Sequence, residues 1–127
     1  MMTNVYEVDA TTIDADGLEV PKDLPEGADA YRLNRSVKSD WAIKVVNGAD
    51  ADVDATALVS TSDDSAFEEF AEDGEAETAA VGDAPDNVVY FDGETVAGYL
   101  GVELAAEAAP TEGTVKVVFN SRLYGGA

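Results

Sequence analysis

Apolar residues fall at every second position through most of this chain. Trp41, Ile43 and Val45 alternate with Ala42, Lys44 and Val46, and Val115, Val117, Phe119 and Ser121 alternate with Lys116, Val118 and Asn120. A period of two puts one set on each side of an extended strand. Both stretches therefore predict strands, with Trp41, Ile43, Val45, Val115, Val117 and Phe119 facing one core. Shorter runs predict further strands at Val5 to Ile13, Leu18 to Val20, Ala30 to Val37, Glu77 to Val81, Asn87 to Phe91 and Tyr99 to Ala106.

Turn residues separate these runs. Asp16-Gly17, Asn47-Gly48 and Asp92-Gly93 are turn dipeptides, and Pro21 to Asp29 and Ala109 to Gly113 read as loops. Asn47-Gly48 predicts a hairpin that returns through Val53, Ala55, Ala57 and Val59, its loop lengthened by Asp50 and Asp52. One segment, Ser62 to Glu72, breaks the period. Phe67, Phe70 and Ala71 stand at i, i+3 and i+4 behind the candidate caps Asp63, Asp64 and Ser65, and Gly74 stops the run. Such a helix is too short to persist alone, so Phe67 and Phe70 are expected to lean on a sheet. About eight or nine short strands at a spacing of roughly 8–12 residues predict an all-β chain. The expected fold is an antiparallel β-sandwich, jelly-roll or Ig-like, with one short helix.

Charge changes the picture of where this fold works. Asp and Glu number 27 against 7 Lys and Arg, a formal net charge of −20 on 127 residues. At ordinary ionic strength, with a Debye length of roughly 8–10 Å, such a surface repels itself; in molar salt the length falls to about 3 Å. Few Lys, many acids and small apolar residues point to a high-salt cytoplasm. Sixteen Val, seven Leu and Trp41 in strand-like runs argue against a disordered acidic segment. The length fits one domain. Met1-Met2-Thr3-Asn4 lacks a basic region followed by an apolar core, so no secretory signal is expected, and no apolar run approaches the ~20 residues that cross a bilayer.

The residues offer little reactive chemistry. The chain has no His and no Cys, which removes the commonest general base, the usual imidazole ligand and thiol nucleophiles. Among 27 acids nearly any two make a carboxylate pair, so that signal has no specificity and no enzyme is expected. Asp14-Ala15-Asp16-Gly17 looks like half of a calcium loop, yet Thr12 stands where the first ligand belongs and Pro21 lies inside; a polar turn is the plainer reading. Asp50, Asp52 and Asp54 would share a face if extended and could hold a cation loosely, but solvated charge is the default. No metal or other cofactor is expected. A surface this negative repels phosphates, which argues against nucleic acid as a partner.

One stretch runs against the trend. Arg32, Arg35, Lys38 and Lys44 gather four of the seven basic residues, opposed only by Asp40. They form a docking patch for an acidic neighbour or neutralise carboxylates of their own domain. Tyr124, before Gly125-Gly126, is either part of a frayed tail or an interface anchor.

From Trp41 onward the chain resembles a module of small structural proteins in tailed viruses. The likeness rests on Trp-Ala-Ile-Lys-Val-Val-Asn-Gly at 41–48, on Val88-Val89-Tyr90-Phe91, and on a closing unit running from Tyr99-Leu100-Gly101-Val102-Glu103 to Ala109-Pro110-Thr111-Glu112-Gly113-Thr114-Val115-Lys116-Val117. The resemblance implies a β-sandwich that decorates a capsid or builds a turret, tail or fibre. With the halophilic composition, it implies a virion structural protein of a haloarchaeal tailed virus, homo-oligomeric and bound to major capsid or tail proteins. Residues 41–127 would form the sandwich, and residues 1–40 an N-terminal arm or extra strands. An arm would dock through Val5, Tyr6, Val8 and Ile13 by adding a strand to a neighbour's sheet, beside Arg32, Arg35, Lys38 and Tyr124. The alternative is a cellular halophilic β-sandwich domain that binds carbohydrate or a protein partner.

Overall fold

A computed structural model describes residues 2–21, 31–32, 39–60, 71–95 and 99–123. It holds ten strands: β1 Met2–Asp9, β2 Leu18–Val20, β3 Tyr31–Arg32, β4 Ser39–Asn47, β5 Val53–Ser60, β6 Ala71–Glu72, β7 Glu77–Ala79, β8 Val88–Thr95, β9 Tyr99–Ala105 and β10 Thr114–Leu123. One sheet has the order β1-β10-β4-β8. In the other, β9 and β5 form the centre. β2 and β3 share the free side of β9, and β6 and β7 share the free side of β5, so six strands fill four positions. All pairings are antiparallel. The fold is an all-β sandwich.

The core lies between the two sheets and is built by the period-two positions. Trp41, Ile43, Val45, Val115, Val117 and Phe119 are all buried, and Phe119 stands opposite Ile43 as Val117 does opposite Val45. The facing sheet supplies Val53, Ala55 and Ala57 from β5 and Leu100, Val102 and Leu104 from β9. The Tyr6 ring meets Phe119 edge-on, 5.6 Å between centroids and 79° between planes, the geometry favoured by the ring quadrupoles.

The N-terminal part belongs to this same core. β1 pairs with β10 along its whole length, from Met2 opposite Ser121 to Asp9 opposite Thr114. Val8, Ala10, Ile13 and Val20 are among the buried residues of the shared cluster. In the described residues of 1–40 the chain thus contributes strands to its own sandwich, and Val8 (1% exposed) and Ile13 (0%) have no surface to offer a neighbour. An apolar side chain in an N-terminal strand gains as much from its own sheet as from another's, and here its own sheet takes it.

Three other expectations give way. First, β4 and β5 are not a hairpin, because they lie in opposite sheets. The reason is Asn47, only 1% exposed. Its side-chain amide nitrogen donates to the Ala51 and Ala79 carbonyls at 2.9 and 2.8 Å, and its oxygen accepts from the Ala49 N–H at 2.8 Å. Ala79 belongs to β7, so Asn47 ties the end of β4 to the other sheet and steers the chain across. Second, Asp92-Gly93 is not a turn but lies inside β8, and Gly93 leaves room for the Trp41 indole. Third, the helical segment at 62–72 lies mostly outside the described residues; its last two, Ala71 and Glu72, form β6. The one helical turn described is a 3-10 turn at Ala10–Thr12, capped by the Asp9 carboxylate.

Candidate functional site

Parity decides what the four-stranded sheet shows to solvent. With Trp41, Ile43 and Val117 turned inward, their neighbours point out, and the pairing registers align them in rows. One row runs Val5, Val118, Lys44, Tyr90 across β1, β10, β4 and β8. The next runs Glu7, Lys116, Val46, Val88, and a third Thr3, Asn120, Ala42, Asp92. Six apolar positions thus meet on the outer face of a chain with net charge −20. Val5 is 54% exposed and Tyr90 65%, the largest exposed apolar side chains on this sheet; Val118, Val46, Val88 and Ala42 are half-buried.

Two of the seven basic residues, Lys44 and Lys116, stand in the same rows. The Lys44 ammonium lies 5.9 Å from the centre of the Tyr90 ring, where the ring's negative face attracts it. The acids keep to the margins: Glu7 on β1, Asp92 on β8. With strands about 4.8 Å apart and rows about 6.8 Å apart, the patch covers on the order of 300–400 Å², the size at which an exposed apolar patch on a monomer is often functional.

The residues singled out from sequence are dispersed. Val5 is on this face. Tyr6 is half-buried against Phe119, and Val8 and Ile13 are in the core. Arg32 lies on β3, opposite Tyr99 in the other sheet, while Lys44 stands on β4, so the basic stretch is divided between the two sheets. Arg35, Lys38 and Tyr124 lie outside the described residues. Missed were Val46, Val88, Tyr90, Lys116 and Val118. A signal for them existed: Val45-Val46, Val88-Val89 and Val117-Val118 place an apolar residue on both faces of three adjacent strands.

The alternating aspartates are tied into the fold. The Asp50 carboxylate accepts the Thr111 hydroxyl, the Thr111 N–H at 2.8 Å and the Glu112 N–H at 3.3 Å. The Thr111 hydroxyl and then its N–H hold the Asp50 carboxyl below its ordinary value of 3.8. Asp52 accepts the Val81 N–H at 2.9 Å, and Asp54 the Thr78 hydroxyl at 2.6 Å. The Asp14 carboxylate accepts the Asp16 N–H at 2.9 Å, as a polar turn does. Among the described residues no group of three or more acids is placed to hold a metal ion, and no helix is long and apolar enough to cross a membrane.

A concavity of about 440 Å³ opens along β8, the last strand of its sheet. Tyr90, Phe91 and Asp92 form one wall, Asp73 to Glu77 the other, and Trp41 contributes from within the sandwich.

Comparison with protein-family models, with curated proteins and with solved structures gives no match for this chain.

Proposed function

We propose that this chain is a non-enzymatic structural protein of a virion, assembling as a homo-oligomer and against other virion proteins on the capsid or tail of a halophilic archaeal virus. The observation that carries the reading is the outer face of the four-stranded sheet, where the Val5–Val118–Lys44–Tyr90 row makes a low-charge apolar locus on a chain of net charge −20. Two such chains repel almost everywhere else. In molar salt, charge pairs on a rim contribute about 0–1 kcal/mol, so apolar burial has to supply the attraction. A patch of this size gives only weak pairwise affinity once the roughly 4–15 kcal/mol cost of association is subtracted. Repetition on a symmetric particle multiplies weak contacts, which suits a protein that works as one copy among many.

The test is purification of virus particles in molar salt, with the chain expected at a fixed copy number. Light scattering of the pure protein should show oligomers that Val5→Asp with Tyr90→Asp dissolves while the melting curve is kept. A strict monomer that also fails to bind particles refutes the reading. A cellular halophilic β-sandwich domain that binds carbohydrate or a protein partner is the second reading, favoured by the aromatic-walled concavity beside Trp41.

A further inference from the structure

We infer that the concavity along β8 is a binding site for a neutral, polyhydroxylated ligand, a single sugar unit of a glycan. The inference stands apart from the apolar sheet face. Its centre is Trp41. The side chain is only 3% exposed, and its indole N–H has no acceptor. An unmatched buried donor is costly, on the order of 1–3 kcal/mol, and each such group in a native structure calls for a partner. The wall around it carries the carboxylates of Asp73, Glu75, Glu77 and Asp92.

These two features together select the ligand. A cation satisfies the carboxylates but leaves the indole N–H without an acceptor. A protonated amine does the same, since it only donates. An anion accepts from the indole but is repelled by the carboxylates. A hydroxyl does both, because its oxygen accepts from the indole N–H while its hydrogen is donated to a carboxylate. Water has the same valence, but water gains nothing from the Tyr90 and Phe91 side chains that also line the space. A sugar ring does: its C–H faces pack on apolar and aromatic surface while its hydroxyls bond at the edge. The volume, about 440 Å³, lies within the roughly 300–1,000 Å³ of small-molecule sites.

Trp41 is the only tryptophan of the chain, which makes the readout specific. In molar salt, the indole N–H resonance of the nitrogen-labelled protein is followed while methyl glycosides of glucose, galactose, mannose and N-acetylglucosamine are added, each to about 100 mM, roughly a hundredfold above a millimolar Kd. At least one glycoside should shift that resonance saturably. Glu75→Ala, at an exposed position off the sheet face, should weaken binding about tenfold, the loss expected for one hydrogen bond to a charged group, with the melting temperature unchanged. No saturable shift with any glycoside overturns the inference, as does an equal shift on adding lysine amide or more potassium chloride, or binding that Glu75→Ala leaves intact. None of these outcomes touches oligomer formation through Val5 and Tyr90, so the two proposals fail separately.

Discussion

Substituting Gly93 by Ala tests whether β8 runs straight past Trp41. Gly93 does not adopt a positive φ, so its backbone accepts alanine without strain. On propensity alone, glycine in a strand costs about 0.5–1 kcal/mol relative to alanine, and the change would stabilise. Packing says the opposite. A Cβ at position 93 would sit 2.7 Å from Trp41 Cε2 and 3.1 Å from Cη2, and nearer still to Cζ2. Carbon atoms rest about 3.5–4.0 Å apart, so the indole must move by about 1 Å. Trp41 is 3% exposed and has little room, and overpacking of this kind costs about 1–3 kcal/mol. The net is a loss of about 1–2 kcal/mol, or roughly 3–10 °C in Tm for a domain of this length. Thermal melting in molar salt, read by circular dichroism and by Trp41 fluorescence, measures it. In a Trp41→Phe background the smaller ring should make the added methyl cheaper, a positive coupling between the two sites. A Gly93→Ala protein as stable as the parent, or a cost unchanged in the Trp41→Phe background, would refute the packing argument.

Phe119→Ala removes a fully buried ring set edge-on to Tyr6 and should cost about 3–5 kcal/mol; denaturant unfolding that shows less than about 1 kcal/mol contradicts the register of β10. Stability should rise from about 0.1 M to molar KCl as the Debye length shrinks about threefold, and an unchanged melting temperature across that series would remove the argument from the −20 charge. Asp50 has a folded pKa below its ordinary value of 3.8 because the Thr111 hydroxyl and N–H bond its carboxylate. Its contribution is therefore present above that ordinary value and lost as pH falls through the lower folded pKa. Asp50→Asn should narrow its stability difference from the parent as the pH is lowered through that window, and a difference independent of pH would show that the ionised form is not what ties the 109–113 loop.

Much of the fold was legible because the two longest strands carry unambiguous alternation. Residues 41–45 and 115–119 have a large apolar side chain at every inward position, and one residue of slip would bury Lys44 and Lys116 instead. What alternation does not encode is which sheet a strand joins. Asn47-Gly48 has the composition of a hairpin turn, but its outcome was decided by a buried amide reaching Ala79, far along the chain. Asp92-Gly93 misleads for a similar reason: glycine serves a turn by its φ and a strand by its missing side chain, and only the position of Trp41 tells which. The sheet face was hidden because it arises across four strands. Val5, Val118, Lys44 and Tyr90 become neighbours only through registers that no local pattern fixes.

The position of β10 has a consequence for synthesis. It lies between β1 and β4, so the strand at residues 114–123 completes a sheet whose other members come earlier in the chain. Thr3 finds its partner Asn120 across 117 positions. While the ribosome is still making the segment between them, β1 has no neighbour in its sheet and β4 has at most β8. Closure over such a distance is slow on the scale of small domains, milliseconds to seconds, and a waiting edge strand is a site for wrong pairing. Here the waiting strands belong to chains that repel one another. The acidity that burdens the finished protein at low salt also keeps unfinished copies apart until their last strand arrives.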